Sequence, residues 1–159
     1  MSEQDVQVGM RAPDFELFEA SEERIRLYEE LKRRPVLLLF YPSDFGIVCS
    51  LEMKTFTEMY ADIQKRGVSV LAVGRNSTYS HRQFKENLGI PFPLLSDLDG
   101  SVSNRYAGLL DIGVLKGMSR RAAFIIDRLG IVRYYWVSHY DGLLPPFDEI
   151  KERVLTLEL

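Results

Sequence analysis

Short, predominantly apolar runs alternate along the chain with longer segments in which apolar residues recur at helical spacing. The runs at 36–40 (VLLLF) and 68–74 (VSVLAVG) are typical of strands that are covered on both faces. Helical spacing extends over 48–65 and 77–88, and a glycine follows each of these segments as a stop signal. The pattern therefore predicts a strand–helix–strand–helix order for this part of the chain.

A different pattern follows, in which two apolar runs flank a tight turn. Five further elements are predicted: a short extended piece at 91–95, a short helix from the turn at 99–100 through 106, strands at 122–127 and 131–137, and an amphipathic helix at 146–157. A βαβ unit followed by a hairpin and a helix indicates an α/β fold of the thioredoxin-like type, with a mixed central sheet flanked by helices.

Composition narrows the class of protein further. The 159 residues are 46% hydrophobic and 27% charged, without repeat or linker, which favours a single globular domain over 1–159. The formal net charge of −3 gives no electrostatic reason to expect nucleic acid or an anionic membrane as partner. The basic run at 32–34 is interpreted as a solvated helix end. The acidic N-terminus lacks a signal-peptide core, and no apolar run reaches about 18 residues, so a cytoplasmic location without a membrane span is expected.

The chain has one cysteine, Cys49, and two histidines. One cysteine cannot form an intramolecular disulfide, and this set makes a poor zinc site, so neither a metal nor a cofactor is expected. The tripeptide DFG at 44–46 matches a protein-kinase motif. A kinase also needs a glycine-rich loop, a strand lysine and an HRD loop before DFG, and none of these is present. The kinase interpretation is therefore rejected.

Cys49 lies where the first turn of a helix follows a buried strand. Free backbone N–H groups at a helix N-terminus favour a negative charge, and thiol pKa values there fall from about 8.5 to between about 3.5 and 7.5. The alternative is that a lone free cysteine simply packs in the core, as many do. Location alone does not decide between a reactive and a structural cysteine.

Its neighbours favour the reactive interpretation. Residues 40–49 read FYPSDFGIVC, which resembles the Pro-x-x-x-Thr/Ser-x-x-Cys active-site segment of the peroxiredoxins (AhpC/TSA superfamily), except that Gly46 replaces Thr/Ser. Glu52 fits a Cys-x-x-Glu continuation. The resemblance extends to three further segments, at 8–17 (VGMRAPDFEL), at 77–97 (S-x-x-SH-x-x-F and FPLLSD) and at 121–127 (RAAFIID). The bacterioferritin-comigratory or one-cysteine branch is the most similar.

This resemblance implies that the Cys49 thiolate attacks a peroxide and becomes a sulfenic acid. Arg121 would stabilise the transition state, and the R-x-x-F spacing selects it over Arg120. Pro42 would shield the thiolate, and Glu52 would orient the arginine by a charge-assisted bond. The alternatives are that Arg121 is an ordinary surface residue and that Glu52 is only a favourable first-turn acid.

Gly46, Phe45 and Val48 are expected to form the substrate pocket. The missing Thr/Ser hydroxyl removes a contact that would hold and polarise the peroxide, so we expect slower turnover on hydrogen peroxide or organic hydroperoxides. The alternative function is a non-catalytic redox sensor or partner-binding protein with a peroxiredoxin-like fold. A thioredoxin-type reductase would need a Cys-x-x-Cys pair, which this chain lacks.

The resemblance also implies partners. Without a resolving cysteine, an external thiol must reduce the sulfenic acid: thioredoxin, a glutaredoxin-like protein or a small thiol. A homodimer that pairs around the cysteine loop is expected by analogy.

His81 and His139 are interpreted as helix-start or surface residues rather than catalytic bases, and Trp136 as packing in or beside the hairpin. Arg75 is expected beside the site, with an unassigned effect on substrate or reductant.

Overall fold

The computed structural model describes residues 5–139 and 143–158, so the first four residues of the acidic N-terminal segment lie outside it. The strands of the described residues are β1 (Glu16–Glu19), β2 (Arg24–Arg26), β3 (Val36–Phe40), β4 (Ser69–Gly74), β5 (Leu94–Ser96), β6 (Ala122–Ile126) and β7 (Val132–Val137). The helices are α1 (Leu27–Leu31), α2 (Ile47–Lys65), α3 (Thr78–Leu88), α4 (Ser101–Tyr106) and α5 (Phe147–Leu155). Every predicted element is present, with ends within three residues of those expected.

The strands form one mixed sheet in the order β2-β1-β5-β4-β3-β6-β7. Strand β4 lies parallel to both β3 and β5, as expected for strands joined by helical crossovers. Strand β6 is antiparallel to β3, and β7 is antiparallel to β6. The structure thus confirms the predicted βαβ unit followed by a hairpin.

Both faces of this sheet are covered, which explains the unbroken apolar run of β3. Leu37 and Leu39 pack into one core cluster, to which α2, α3 and α5 contribute side chains. Val36, Leu38 and Phe40 pack into a second cluster on the opposite face, with side chains from α1 and α4. Successive residues of a strand point to opposite faces, so a strand covered on both sides is apolar at every position.

The N-terminal hairpin was not predicted, and α1 was implied only by the interpretation of 32–34 as a helix end. Strand β1 alternates exposed and half-buried positions over only four residues, and β2 has three. Such short, weakly apolar segments carry little local signal, and their pairing with each other and with β5 stabilises them. The basic run at 32–34 follows α1 and is exposed, which confirms its interpretation as a solvated helix end. Over the described ranges, no helix is long and apolar enough to cross a membrane.

Candidate active site

The loop between β3 and α2 carries the candidate nucleophile. Tyr41 and Pro42 are buried at the end of β3, and Gly46 is the N-cap of α2, so Cys49 is the third residue of the helix. Gly46 has φ −65° and ψ 147° and makes no side-chain cap hydrogen bond. The predicted strand–loop–helix setting of Cys49 is therefore confirmed.

Sheet register brings Arg121 to the cysteine. Phe40 pairs with Ala122 in the antiparallel β3–β6 ladder, so the residue before β6 lies beside the loop after β3. Arg121 Nη1 donates to Cys49 Sγ over 3.3 Å and to Glu52 Oε1 over 2.6 Å. The cysteine, arginine and glutamate are at most 3% exposed. Of the two adjacent arginines, Arg120 donates instead to the carbonyls of Ser138 and His139.

Burial opposes the ionisation of Cys49. Loss of solvent raises the pKa of the thiol above its ordinary value, while the charge of Arg121 and a backbone hydrogen bond from Ser43 lower it. The charge of Glu52 also raises the pKa of the thiol, by a smaller amount. Burial is the largest influence, so the sequence-based expectation of a lowered thiol pKa was wrong in direction. That expectation considered the helix N-terminus but not the desolvation of a nearly inaccessible sulfur.

The ion pair beside the thiol is also shaped by burial. Burial raises the pKa of the Glu52 carboxyl from 4.5 to about 7, against the opposing charge and hydrogen bond of Arg121. Burial alone would lower the pKa of Arg121, but the charges of Glu52 and Cys49 raise it above its ordinary value. Arg121 therefore stays cationic. Its charge lies beside Cys49 and Glu52 and stabilises the anionic form of each.

The remaining predicted site residues lie around the same loop. Pro42 is buried, Val48 is half-buried, and Phe45 is 52% exposed with its ring 5.2 Å from that of Phe84. A Cβ atom on Gly46 would lie 3.7 Å from Cys49 Sγ and 3.6 Å from the Ser43 carbonyl oxygen, which are ordinary contacts. The backbone at this position can therefore accommodate the Cβ atom of a Thr or Ser beside the sulfur.

Four other residues had sequence-based interpretations. His81 lies near the start of α3, in agreement with its interpretation as a helix-start residue, and its side chain is fully buried. His139 is exposed, and Trp136 packs half-buried against the core, both as predicted. Arg75 donates to the carbonyls of Gly117 and Leu98 and so ties two loop segments together.

The sequence reasoning missed the polar group around His81. Its Nδ1 lies 2.8 Å from Asp44 Oδ2, and Tyr41 donates to Asp44 Oδ1 over 2.6 Å. The signal that was available is periodicity, because position 81 shares the apolar face of α3 with Phe84. Among the residues that the structure describes, no three His, Cys, Asp or Glu side chains are placed to bind a metal ion.

Comparisons with known proteins agree with this geometry. The model of the AhpC/TSA family matches residues 8–135. The chain is 39% identical over 142 residues to the selenocysteine-containing peroxiredoxin PrxU of Peptoclostridium acidaminophilum, covering 83% of this chain and 68% of that protein. It is 34% identical over 135 residues to the putative peroxiredoxin bcp of Coxiella burnetii, covering 82% and 88%.

A solved structure gives the same result for the fold. The peroxiredoxin-like protein from Aquifex aeolicus superposes with a TM-score of 0.84 at 28% identity, over 94% of this chain and 86% of that one. The predicted thioredoxin-like architecture is therefore confirmed, and the bcp branch is represented among the relatives. The chain belongs to the AhpC/TSA family, the family of the peroxiredoxins.

Proposed function

We propose that this protein is a one-cysteine, thiol-dependent peroxidase. The observation that carries the proposal is the position of Arg121 Nη1, 3.3 Å from Cys49 Sγ and fixed by Glu52 at 2.6 Å. A buried cation that contacts both the sulfur and a carboxylate is suited to a reaction in which negative charge moves from sulfur to oxygen. A cysteine that only packs in the core needs no such partner.

The reaction consumes one peroxide and two thiols. The Cys49 thiolate attacks the terminal peroxide oxygen; an S–O bond forms, the O–O bond breaks, and the departing hydroxide or alkoxide takes a proton from solvent. Sulfur is oxidised to sulfenic acid and the peroxide is reduced to water or alcohol. A first external thiol condenses with the sulfenic acid, giving a mixed disulfide and water, and a second releases the reduced cysteine.

Each predicted residue has a role in this scheme. Arg121 lowers the pKa of the buried thiol and stabilises the developing charge on the peroxide. Glu52 orients the guanidinium, and Pro42, which has no N–H, shields the sulfur without competing for it. Phe45 and Val48, with Gly46, form the wall of the peroxide pocket.

Since Cys49 is the only cysteine, the reductant is thioredoxin, a glutaredoxin-like protein or a small thiol of a reducing compartment such as the cytoplasm.

A second function is favoured by two observations. Gly46 places no hydroxyl beside the sulfur, and burial holds the pKa of the thiol above its ordinary value. Both slow the reaction with peroxide, and a slowly oxidised cysteine suits a redox sensor or a partner-binding protein better than a scavenger.

Peroxide consumption separates the two functions. We expect the reduced protein to consume hydrogen peroxide or an organic hydroperoxide faster than an equal concentration of a free small thiol, and Cys49→Ser to consume none. Arg121→Met should lower the rate about 10²–10³-fold, whereas Arg120→Met, one residue away, should change it little. A wild-type rate equal to that of a free thiol would contradict the peroxidase proposal and leave the sensor function.

The proposal includes a homodimer that pairs around the cysteine loop. Large apolar side chains on the first turns of α2 and α3 and on the preceding loop are exposed: Phe45 (52%), Ile47 (83%), Leu51 (52%) and Tyr79 (66%). Ile47 and Leu51 are four residues apart and share one face of α2. Apolar groups clustered at one place on a surface favour a protein partner, and a second copy of the chain is the partner proposed.

A further inference from the structure

A buried polar group beneath the cysteine loop has no part in the proposed reaction. It consists of Tyr41, Asp44 and His81, which are 0%, 6% and 0% exposed. Three such side chains away from solvent are costly to bury unless each polar atom is paired. Their hydrogen bonds therefore indicate what the group does.

Both ring nitrogens of His81 face acceptors. Nδ1 lies 2.8 and 3.0 Å from the two carboxylate oxygens of Asp44, and Nε2 lies 3.0 Å from the Leu95 carbonyl and 3.3 Å from the Gly74 carbonyl. Beside an ionised Asp44, neutral imidazole has a single N–H and would leave one of these contacts as two facing acceptors. The doubly protonated ring satisfies both sides. The other titratable side chain in contact is Tyr41, whose hydroxyl lies 3.2 Å from His81 Nδ1 and donates its single proton to Asp44 Oδ1 over 2.6 Å.

The Asp44 carboxylate is held from several elements at once. Tyr41, at the end of β3, donates to Oδ1, and Ser80 in α3 donates to Oδ2 over 2.8 Å. The backbone N–H of Asp44 donates to Asn76 Oδ1 over 3.0 Å. A carboxylate that accepts hydrogen bonds from two hydroxyls and faces an imidazolium can carry its charge in the interior.

Gly74 makes room for the same group. A Cβ atom there would lie 3.0 Å from Tyr41 Cζ and 3.2 Å from His81 Cε1, closer than side chains normally approach. The absence of a side chain at this position in β4 lets the two rings pack against the strand.

We propose that Asp44 and His81 form a buried ion pair that positions the loop at 42–46 over Cys49. Both are positioning residues, since neither is placed to touch the reacting atoms. The pair fixes the residue directly before Phe45, whose φ of 65° lies in the left-handed region that side-chain-bearing residues seldom adopt. The Phe45 ring makes an edge-to-face contact with the ring of Phe84, which lies in the same helix as His81. The loop that carries Pro42 and Gly46 thus takes its conformation from α3.

The ionisation of His81 can be measured directly. The chain has only two histidines, so ¹⁵N NMR of the imidazoles in the reduced wild-type protein, with exposed His139→Gln for assignment, isolates the His81 signals. We expect both ring nitrogens of His81 to carry protons at neutral pH and to lose that signature in Asp44→Asn. A neutral His81 in the wild-type protein would overturn the ion pair, whatever the protein catalyses.

The positioning role, which rests on the proposed peroxidase function, is tested through rates. Asp44→Asn, His81→Gln and Gly74→Ala should each lower kcat/KM for peroxide about 10–100-fold while the protein stays folded by circular dichroism, because small displacements of a positioned group cost that much. The first two changes together should cost no more than one, and His139→Gln should cost nothing. Wild-type rates in the folded variants would contradict the proposal, and Gly74→Ala still tests it if a polar variant does not fold.

Alkylation of Cys49 by iodoacetamide distinguishes this proposal from the proposed function. That reaction needs the loop and the thiolate but no peroxide, so a changed alkylation rate in the same variants would support positioning even if the wild-type protein reduced no peroxide. If the variants were alkylated at the wild-type rate while the wild-type protein reduced peroxide, the proposed peroxidase function would stand. The positioning role of the ion pair would then be contradicted.

Discussion

The reactivity of Cys49 is set by opposing influences on a single side chain. Burial disfavours the thiolate, and the Arg121 cation favours it from 3.3 Å. Among the groups that lower the pKa of this buried thiol, the Arg121 cation has the largest effect, and the backbone hydrogen bond from Ser43 adds to it. In the proposed reaction Arg121 would raise the rate in two ways. It favours the thiolate form of Cys49, and it stabilises the charge that develops in the transition state.

Gly46→Thr is expected to increase peroxide turnover. The glycine has an ordinary φ of −65°, and an added Cβ makes only normal contacts, so neither the backbone nor the Cβ atom opposes the substitution. Its hydroxyl would lie beside the sulfur and restore a contact worth about a hundredfold in rate. Stopped-flow measurement of kcat/KM tests this, with Gly46→Ala as the control that adds the methyl group alone. Equal rates in the Thr and Ala variants would refute the role assigned to the hydroxyl.

Glu52 should make stability depend on pH. Its pKa is about 7 in the folded protein against 4.5 ordinarily, so between these values the native state binds more protons than the unfolded state. The free energy of unfolding should therefore fall as pH rises from about 4.5 to 7, and Glu52→Gln should remove that part of the slope. Urea unfolding at several pH values provides the measurement. Parallel pH profiles for the two proteins would contradict the assignment.

At the scale of elements, helices α2 and α3 begin differently. Ser77 caps α3 and accepts a hydrogen bond from the Ser80 N–H, whereas Gly46 caps α2 with no side-chain bond. The N-terminus of α2 is thus left open at the sulfur, while that of α3 is closed and fixed. The difference fits a division in which α2 carries the reactive group and α3 carries the residues that hold the loop.

Removal of the α3 cap should destabilise the protein moderately. Ser77→Ala leaves the Ser80 N–H without its acceptor, which typically costs about 1 kcal/mol in free energy of unfolding. Chemical denaturation provides the measurement, and Ser77→Asp, which keeps a capping oxygen, should retain most of the stability. A loss of equal size in both variants would mean that the side chain does not act as a cap.

At the scale of the whole molecule, the proposal predicts that dimerisation depends on the exposed apolar side chains around the cysteine loop. Ile47→Glu places a charge in the exposed apolar cluster and should convert a dimer to a monomer, as measured by analytical ultracentrifugation. Leu129→Glu is the matched control, because Leu129 is also exposed (74%) but lies in the turn after β6, at the end of that strand away from Arg121. A wild-type monomer, or a dimer unaffected by Ile47→Glu, would contradict pairing at this surface.

Local pattern was sufficient for much of the architecture. Strand β3 is apolar at every position and β4 at every position after Ser69. Helices α2 and α3 have helical periodicity and clear ends, so each of these elements could be located from its own residues. The setting of Cys49 followed from the same information, because a strand and a helix that follow each other closely define the junction between them. Strands β1 and β2 were missed because pairing with distant partners, rather than their own composition, stabilises them.

The sequence by itself determined the mixed α/β fold, the family resemblance and the identity of the candidate nucleophile. Only the tertiary structure decided the environment of that nucleophile. Arg121 reaches Cys49 across 72 residues through the β3–β6 register, and His81 is buried against Asp44 rather than exposed. The direction of the thiol pKa shift was likewise inaccessible to local reasoning. Desolvation depends on every atom packed around a group, whereas periodicity and capping depend on a few neighbours along the chain.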